Sequence, residues 1–175
     1  MLASRQARLD RVDAAVAQLG LPPAIWKTCP WEPREPIELG LRQWLRCAGA
    51  ALLDGQVIGM PSRAVDEIWH GLILCTGRYA RFCDDAYGQF LHHHPEGDHI
   101  EGEVKPAPRG NRRRKTNPAG SMIEQLARTV AAWEMVRHPG EECVLWDLDA
   151  TLGLEDPWGV DPGLVADVRA SVGAA

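Results

Sequence analysis

The chain has 175 residues, a net charge of −5 at neutral pH and 45% hydrophobic residues, a composition that fits one soluble domain with its own apolar core. Residues 1–20 are charged throughout and no later segment is apolar for long enough, which excludes a signal peptide and a transmembrane helix. The five cysteines include no C-x-x-C pair, which argues against a disulfide framework and a thiolate zinc site, so we expect reduced thiols and a cytoplasmic protein.

The first third of the chain predicts two helices with an irregular connection between them. Apolar residues at three- and four-residue intervals indicate a first helix that ends at Gly20. Residues 22–36 contain several prolines together with Trp26 and Trp31, a pattern typical of a connection held in place by its tryptophans. A second apolar stripe over residues 39–53 predicts the next helix.

Residues 62–87 predict two helices joined by a short turn. Ser62 is placed to cap the first of them, whose apolar arc runs to about Cys75, and the second extends from Arg78 to about Tyr87. We expect these helices to form a central antiparallel hairpin. The side chains expected in its core are Trp69, Leu72, Tyr79 and Phe82.

The last third predicts one further helix. Ser121 and Glu124 have the spacing of a capping box at its start, and Asn117-Pro118 is a rival start. Residues 143–146 are the only β-like run. We therefore predict an all-α fold, a single-domain helical bundle of about five helices that spans residues 1–175.

One segment is strongly basic. Six of the 19 Lys and Arg residues lie within residues 105–115, which contain no acidic residue. Such a run can contact nucleic acid phosphates or an acidic partner. This one lacks interleaved aromatic residues for base stacking and is interrupted by prolines and a glycine. The pattern favours a flexible basic loop over residues 96–116 rather than a nucleic-acid-binding segment.

The spacing around the predicted hairpin brings titratable side chains together. Asp66 and His70 are four residues apart and therefore share one helix face. Gly88 is placed to end the following helix in a left-handed turn. His93 and His94 follow within a few residues, close enough for the chain to fold back over the same end of the hairpin.

These residues have two alternative interpretations. Asp66 and His70 with His93 or His94 would form the His-His-carboxylate set that suits zinc or non-haem iron with open coordination positions. Alternatively, His70 bonds to Asp66 at a polar edge of the core and the histidine run is a surface loop. The missing H-E-x-x-H motif favours this structural alternative. Cys83 is expected level with His70, but a nucleophilic role for it lacks a visible oxyanion donor. The catalytic residues, if any, stay unknown from the sequence.

The most distinctive motifs lie in residues 62–95: Val65-Asp66-x-x-Trp69-His70, Tyr79-x-x-Phe82-Cys83, Gly88 and His93-His94-Pro95. This block resembles the signature of the glycine-rich domain-containing protein-like family, known from plants and from many bacterial proteins. Many members have a second histidine where Leu72 stands here, and the glycine-rich tail is absent, so the resemblance is to a core-only bacterial-type member. The family has no settled activity, so the resemblance implies membership without a reaction.

Three functional classes follow from the sequence. The favoured one is a non-enzymatic interaction or regulatory module with a protein partner of unknown identity. The first alternative is a metal-binding protein or metal-dependent enzyme that holds zinc or iron through Asp66, His70, His93 and His94. The second alternative is a nucleic-acid-associated protein that acts through the basic loop. The sequence favours no other cofactor and no membrane association.

Overall fold

A computed structural model describes residues 4–93 and 120–173 of the chain, and these residues are organised as helices and their connections. The α-helices are α1 (Arg5–Gln18), α2 (Arg34–Leu53), α3 (Arg63–Leu74), α4 (Thr76–Tyr87), α5 (Met122–Val136), α6 (Leu148–Thr151) and α7 (Pro162–Gly173). Two short 3₁₀ helices cover Pro23–Lys27 and Val144–Trp146. Within the described ranges there is no β-strand, so the all-α prediction is confirmed there, with seven α-helices in place of the predicted five or so.

Helix α2 lies at the centre of the bundle and contacts α1, α3, α4, α5 and α6. Most of its side chains are therefore buried, including Leu41, Trp44 and Leu45. Gly49 allows α1 to approach closely, because a Cβ atom at that position would lie 2.7 Å from Cγ1 of Val12. The long central helix thus provides the surface on which the other helices are assembled.

The proline-rich connection is shorter than predicted. Helix α2 begins at Arg34, so Pro36 lies in its first turn. The first N–H groups of a helix have no intrahelical partner, and a proline there costs no hydrogen bond. Trp26 and Trp31 pack against the core as partly buried side chains. The prolines therefore mark a helix start here, whereas the sequence pattern indicated an irregular segment.

The helix pair α3 and α4 differs in one respect from the prediction. Ser62 caps α3 as expected, since its Oγ accepts a hydrogen bond from the N–H of Val65 at 3.2 Å. Helix α4 begins at Thr76, directly after Cys75, and packs more extensively against α1 than against α3. The predicted central hairpin is thus not the main helix pairing of α4. The predicted core side chains are all buried: Trp69, Leu72, Tyr79 and Phe82.

The C-terminal part contains more helix than its sequence indicated. Helix α5 begins with the predicted capping box, in which Ser121 and Glu124 bond to each other's backbone N–H groups. The β-like run at residues 143–146 contains a 3₁₀ helix, Val144–Trp146, in keeping with the all-α prediction. Helices α6 and α7 were not predicted. Val165 is the only buried residue of α7, so this helix has no continuous apolar stripe to reveal it.

Several sequence-based expectations concern the chain as a whole. The predicted flexible basic loop at residues 96–116 lies outside the described residues, which stop at 93 and resume at 120. Each of the five cysteines has a free thiol. Across the described residues, no helix is both long and apolar enough to cross a lipid bilayer.

Candidate metal centre

Helix α3 positions two of the predicted ligands. Asp66 lies in the first turn of the helix, and His70 follows one turn later on the same face. Trp69 fixes the rotation of the helix because its ring is buried against Trp44, with ring centroids 4.4 Å apart. The polar pair therefore lies at the edge of the buried face of α3.

The segment after α4 brings the third ligand to the same place. Gly88 ends α4 in the left-handed conformation, with φ of 70°, and turns the chain back. The hydroxyl of Tyr79 donates a hydrogen bond to the carbonyl of Leu91 at 2.7 Å. That hydroxyl also accepts a hydrogen bond from the indole N–H of Trp69 at 3.2 Å. Through this chain of bonds, α3 and α4 together hold the segment that carries His93.

The three side chains converge on one point. Nε2 of His70 and Nε2 of His93 are 2.8 Å apart. Oδ1 of Asp66 lies 3.5 Å from Nε2 of His93, and Oδ2 lies 3.5 Å from Nδ1 of His70. One nitrogen or oxygen from each residue lies within 4.8 Å of the other two. Among the described residues, this is the one group of three or more ligand-type side chains with that geometry.

Burial sets the electrostatics of the cluster. The side chains of Asp66 and His93 are 18% and 21% exposed, and that of His70 is 42% exposed. Desolvation raises the pKa of Asp66, and the neighbouring His70 and His93 act in the opposite direction without reversing the shift. A partly buried carboxylate that loses hydration benefits from a cation beside it. The cluster is closed on the Asp66 side and open to solvent on the His70 side.

The short imidazole contact constrains the protons of the cluster. At 2.8 Å, one of the two Nε2 atoms must carry a hydrogen and the other must present a lone pair. A neutral ring that donates its Nε2–H to the lone pair of the other ring satisfies this contact without a net charge. A metal ion held by both rings would take the place of that hydrogen. The carboxylate of Asp66 lies beside both rings and would favour the charge of such an ion.

His138 shows how an ordinary surface histidine with acidic neighbours differs. Its Nε2 lies 3.3 Å from Asp13 and its Nδ1 lies 3.6 Å from Glu141. The side chain of His138 is 58% exposed. Its contacts with the two carboxylates are those of surface ion pairs, and these three residues do not bring three ligand atoms within 4.8 Å of one another. Asp66, His70 and His93 do so.

The structure places the sequence-predicted residues as follows. Asp66, His70 and His93 come together, and His94 lies outside the described residues. Cys83 was predicted to lie at the same height as His70 along the helix pair, but it does not belong to this group of ligand atoms. Its side chain is buried, and burial raises the pKa of its thiol. A thiol in this setting is a packed core group rather than a nucleophile.

Two supporting residues were not recognised in the sequence. Tyr79 was predicted only as a core residue, yet its hydroxyl links Trp69 to the segment that carries His93. Asp149 is completely buried and accepts hydrogen bonds at the start of α3, from the Ser62 hydroxyl at 2.6 Å and from the N–H of Arg63 at 2.8 Å. Nothing in the local sequence distinguishes Asp149 from other acidic residues, since its partners lie more than 80 positions away.

Comparison with known proteins identifies the family. The sequence model of the UCP032817-like family matches residues 28–115, half of the chain, and the chain belongs to that family. The matched region includes the whole block of residues 62–95, so its motifs belong to this uncharacterised family. The resemblance to the glycine-rich domain-containing protein-like family was therefore wrong, in line with Leu72 in place of the second histidine. No curated protein and no solved structure is significantly similar to the chain.

Proposed function

We propose that this protein binds one divalent transition-metal ion, zinc or iron(II), through Asp66, His70 and His93. The observation that carries the proposal is the convergence of one ligand atom from each of these residues within 4.8 Å of the others. Two imidazoles and one carboxylate suit zinc and iron and are a poor set for magnesium or calcium, which prefer oxygen ligands alone. The proposal departs from the sequence-based preference for a purely structural cluster.

The distances support a three-ligand site. Tetrahedral coordination with bonds of about 2.0 to 2.2 Å separates ligand atoms by about 3.3 to 3.6 Å. The 3.5 Å between Oδ1 of Asp66 and Nε2 of His93 fits this spacing. The 2.8 Å between the two imidazoles is shorter, so the rings would separate by about half an ångström on metal binding. His70 is the more exposed of the two histidines and has the freedom to move.

Three protein ligands leave at least one coordination position open. A metal ion bound there would act as a Lewis acid toward water or a ligand group. The half-exposed His70 keeps that side accessible to solvent. The chain's own residues hold the ion and orient the rings. A regulatory or interaction role for the protein, with a metal as its structural or sensing element, is compatible with this site.

Metal analysis of purified protein tests the proposal. Protein expressed in medium supplemented with zinc or iron should contain about one equivalent of metal per chain. The variants His70→Ala, His93→Ala and Asp66→Ala should lose it. The matched control His138→Ala should retain it, because His138 contacts carboxylates but does not belong to the group whose ligand atoms lie within 4.8 Å of one another. His94→Ala shows separately whether the fourth predicted ligand contributes.

Two results would overturn the proposal. The first is a folded wild-type protein that binds neither zinc nor iron(II) in titrations at micromolar protein concentration. The second is stoichiometric metal that persists in both His70→Ala and His93→Ala. In either case the cluster would be a hydrogen-bonded polar edge of the core, the structural alternative described above.

A further inference from the structure

A groove separate from the metal cluster, called the cavity below, lies between α1 and α4 and is open to solvent. Its volume is about 580 Å³, and most of the residues that line it are exposed. The two helices run antiparallel, because Arg11 on α1 bonds to Ala86 near the end of α4, and Arg78 near the start of α4 bonds to Gly20 beyond the end of α1. The α1 side of the cavity contains small side chains, which leaves space between the helices: Ala14 and Ala15.

Three arginines line this cavity: Arg11, Arg78 and Arg81. Two of them are held by backbone carbonyls. Nε of Arg11 donates to the carbonyl of Ala86 at 3.3 Å, and a terminal nitrogen of Arg78 donates to the carbonyl of Gly20 at 2.8 Å. Each guanidinium has five N–H donors, so each of these two keeps further donors for a ligand. Their positions are thus fixed while most of their hydrogen-bonding capacity remains.

Among the described residues, no carboxylate lies within ion-pair distance of Arg11, Arg78 or Arg81, although other arginines such as Arg46 are paired. Asp85 is the one carboxylate that the described residues contribute to the lining. Three guanidiniums against one carboxylate leave an excess of positive charge. Such an excess attracts anions into a cavity.

The spacing of the arginines indicates the shape of the anion. Arg11 is bonded to Ala86, which follows Arg78 by eight residues on α4. Eight residues of α-helix correspond to about 12 Å along the helix axis. Arg81 lies between these two levels. A single small anion contacts at most part of this row. An elongated molecule with several anionic groups can contact all three.

We propose that the cavity between α1 and α4 binds a small molecule that carries two or more phosphate groups. Guanidinium groups bind phosphate oxygens with paired N–H donors, which favours arginine over lysine at such sites. The site is independent of the metal cluster, which is formed by α3 and the segment after α4. It assigns a ligand class to Arg78 and Arg81, which the metal proposal does not use.

Calorimetric titration with inorganic triphosphate tests this proposal on the full chain, freed of metal with a chelator that is then removed. Wild-type protein should bind triphosphate, and Arg78→Gln/Arg81→Gln should bind it at least tenfold more weakly. The control Arg137→Gln should match wild type, since Arg137 is an exposed arginine on another helix end that pairs with Glu134. Circular dichroism checks that each variant is folded.

A second variant separates the cavity from the basic segment of the sequence. Arg112→Gln/Arg113→Gln/Arg114→Gln should leave triphosphate affinity within about twofold of wild type. Loss of binding in this variant with full binding in Arg78→Gln/Arg81→Gln would overturn the proposal. Absence of binding to wild type at millimolar triphosphate would also overturn it. Equal binding of citrate would overturn the assignment to phosphates.

Discussion

Asp66 is the residue on which the charge of the metal cluster depends. It is the only acid of the three proposed ligands, and burial raises its pKa from the ordinary value of an aspartate. A metal ion must displace any proton from this carboxylate and from the two imidazoles. Metal affinity and pH are therefore linked through this side chain.

We predict that zinc affinity falls as the pH is lowered from 8 to 5. Protons compete with the ion for all three ligands, and the raised pKa of Asp66 makes its share of this competition begin at a higher pH than for an ordinary aspartate. Asp66→Asn should bind zinc more weakly throughout, with a shallower dependence on pH. Competition with a chromophoric chelator measures both. An affinity that is constant over this range would contradict the ligand assignment.

Trp69 is the residue that joins the core to the cluster. Its side chain is 4% exposed, and its ring lies 4.8 Å from that of His93 between centroids. Trp69→Ala should lower the free energy of unfolding by about 3 to 5 kcal/mol, the cost of removing a large buried aromatic. Urea denaturation measures the change. Trp158→Ala is the control, because that side chain is 43% exposed and its loss should cost far less.

At the scale of elements, the start of α3 depends on a residue from the other end of the chain. Asp149 lies in the first turn of α6. Its carboxylate accepts hydrogen bonds from the hydroxyl of Ser62, from the N–H groups of Arg63 and Ala64, and from the N–H of Trp158. The carboxylate thus satisfies free N–H groups of α3 and ties them to the C-terminal region. The orientation of α3 sets the position of Asp66 and His70.

We predict that Asp149→Ala lowers the free energy of unfolding by about 3 kcal/mol or more. The substitution leaves several buried donors without an acceptor, and each unsatisfied donor costs about 1 to 3 kcal/mol. Asp147→Ala is the matched control, since Asp147 is exposed and its side chain makes no capping bond. Urea denaturation of both variants decides the matter. Equal, small losses would show that Asp149 does not support α3.

The hydroxyl of Tyr79 helps to hold the segment after α4. Burial raises the pKa of Tyr79, so its hydroxyl stays protonated and continues to donate to the carbonyl of Leu91. Tyr87 makes a similar bond from the same helix to the carbonyl of Leu45, in the centre of the bundle. Both tyrosines thus donate a hydroxyl hydrogen bond to a backbone carbonyl, but only the bond of Tyr79 holds the segment that carries His93.

We predict that Tyr79→Phe and Tyr87→Phe each lower the free energy of unfolding by about 1 to 3 kcal/mol, because each removes a buried hydrogen bond. Only Tyr79→Phe should also weaken zinc binding, by about tenfold, since it frees the segment that carries His93. Zinc titrations on both variants measure this difference. Equal zinc affinities would show that the hydroxyl of Tyr79 does not position the ligand.

At the scale of the whole molecule, the parts that could be predicted are those encoded by local spacing. The Ser62 cap and the four-residue spacing of Asp66 and His70 are local, and Gly88 marks the turn that returns the chain. The parts that were missed depend on distant contacts or weak patterns. The role of Asp149 requires partners far away in sequence, and α7 buries little apolar surface that a periodic pattern could reveal.

The metal site connects local structure to overall stability. An ion held by Asp66, His70 and His93 would join α3 to the segment after α4, and it would bind only the folded chain at full affinity. Ligands that bind the folded state alone stabilise it in proportion to the logarithm of their concentration. Metal binding should therefore be visible in unfolding experiments on the entire protein.

We predict that zinc at a free concentration of 100 times its dissociation constant stabilises the wild-type protein by about 2.7 kcal/mol. For a chain of this length, that corresponds to a rise in melting temperature of roughly 5 to 10 °C. His93→Ala should show almost no rise, because the segment after α4 would lose its link to α3. His138→Ala should show the full rise. Thermal denaturation by circular dichroism measures all three proteins, and an equal rise in each would place the zinc at a different site.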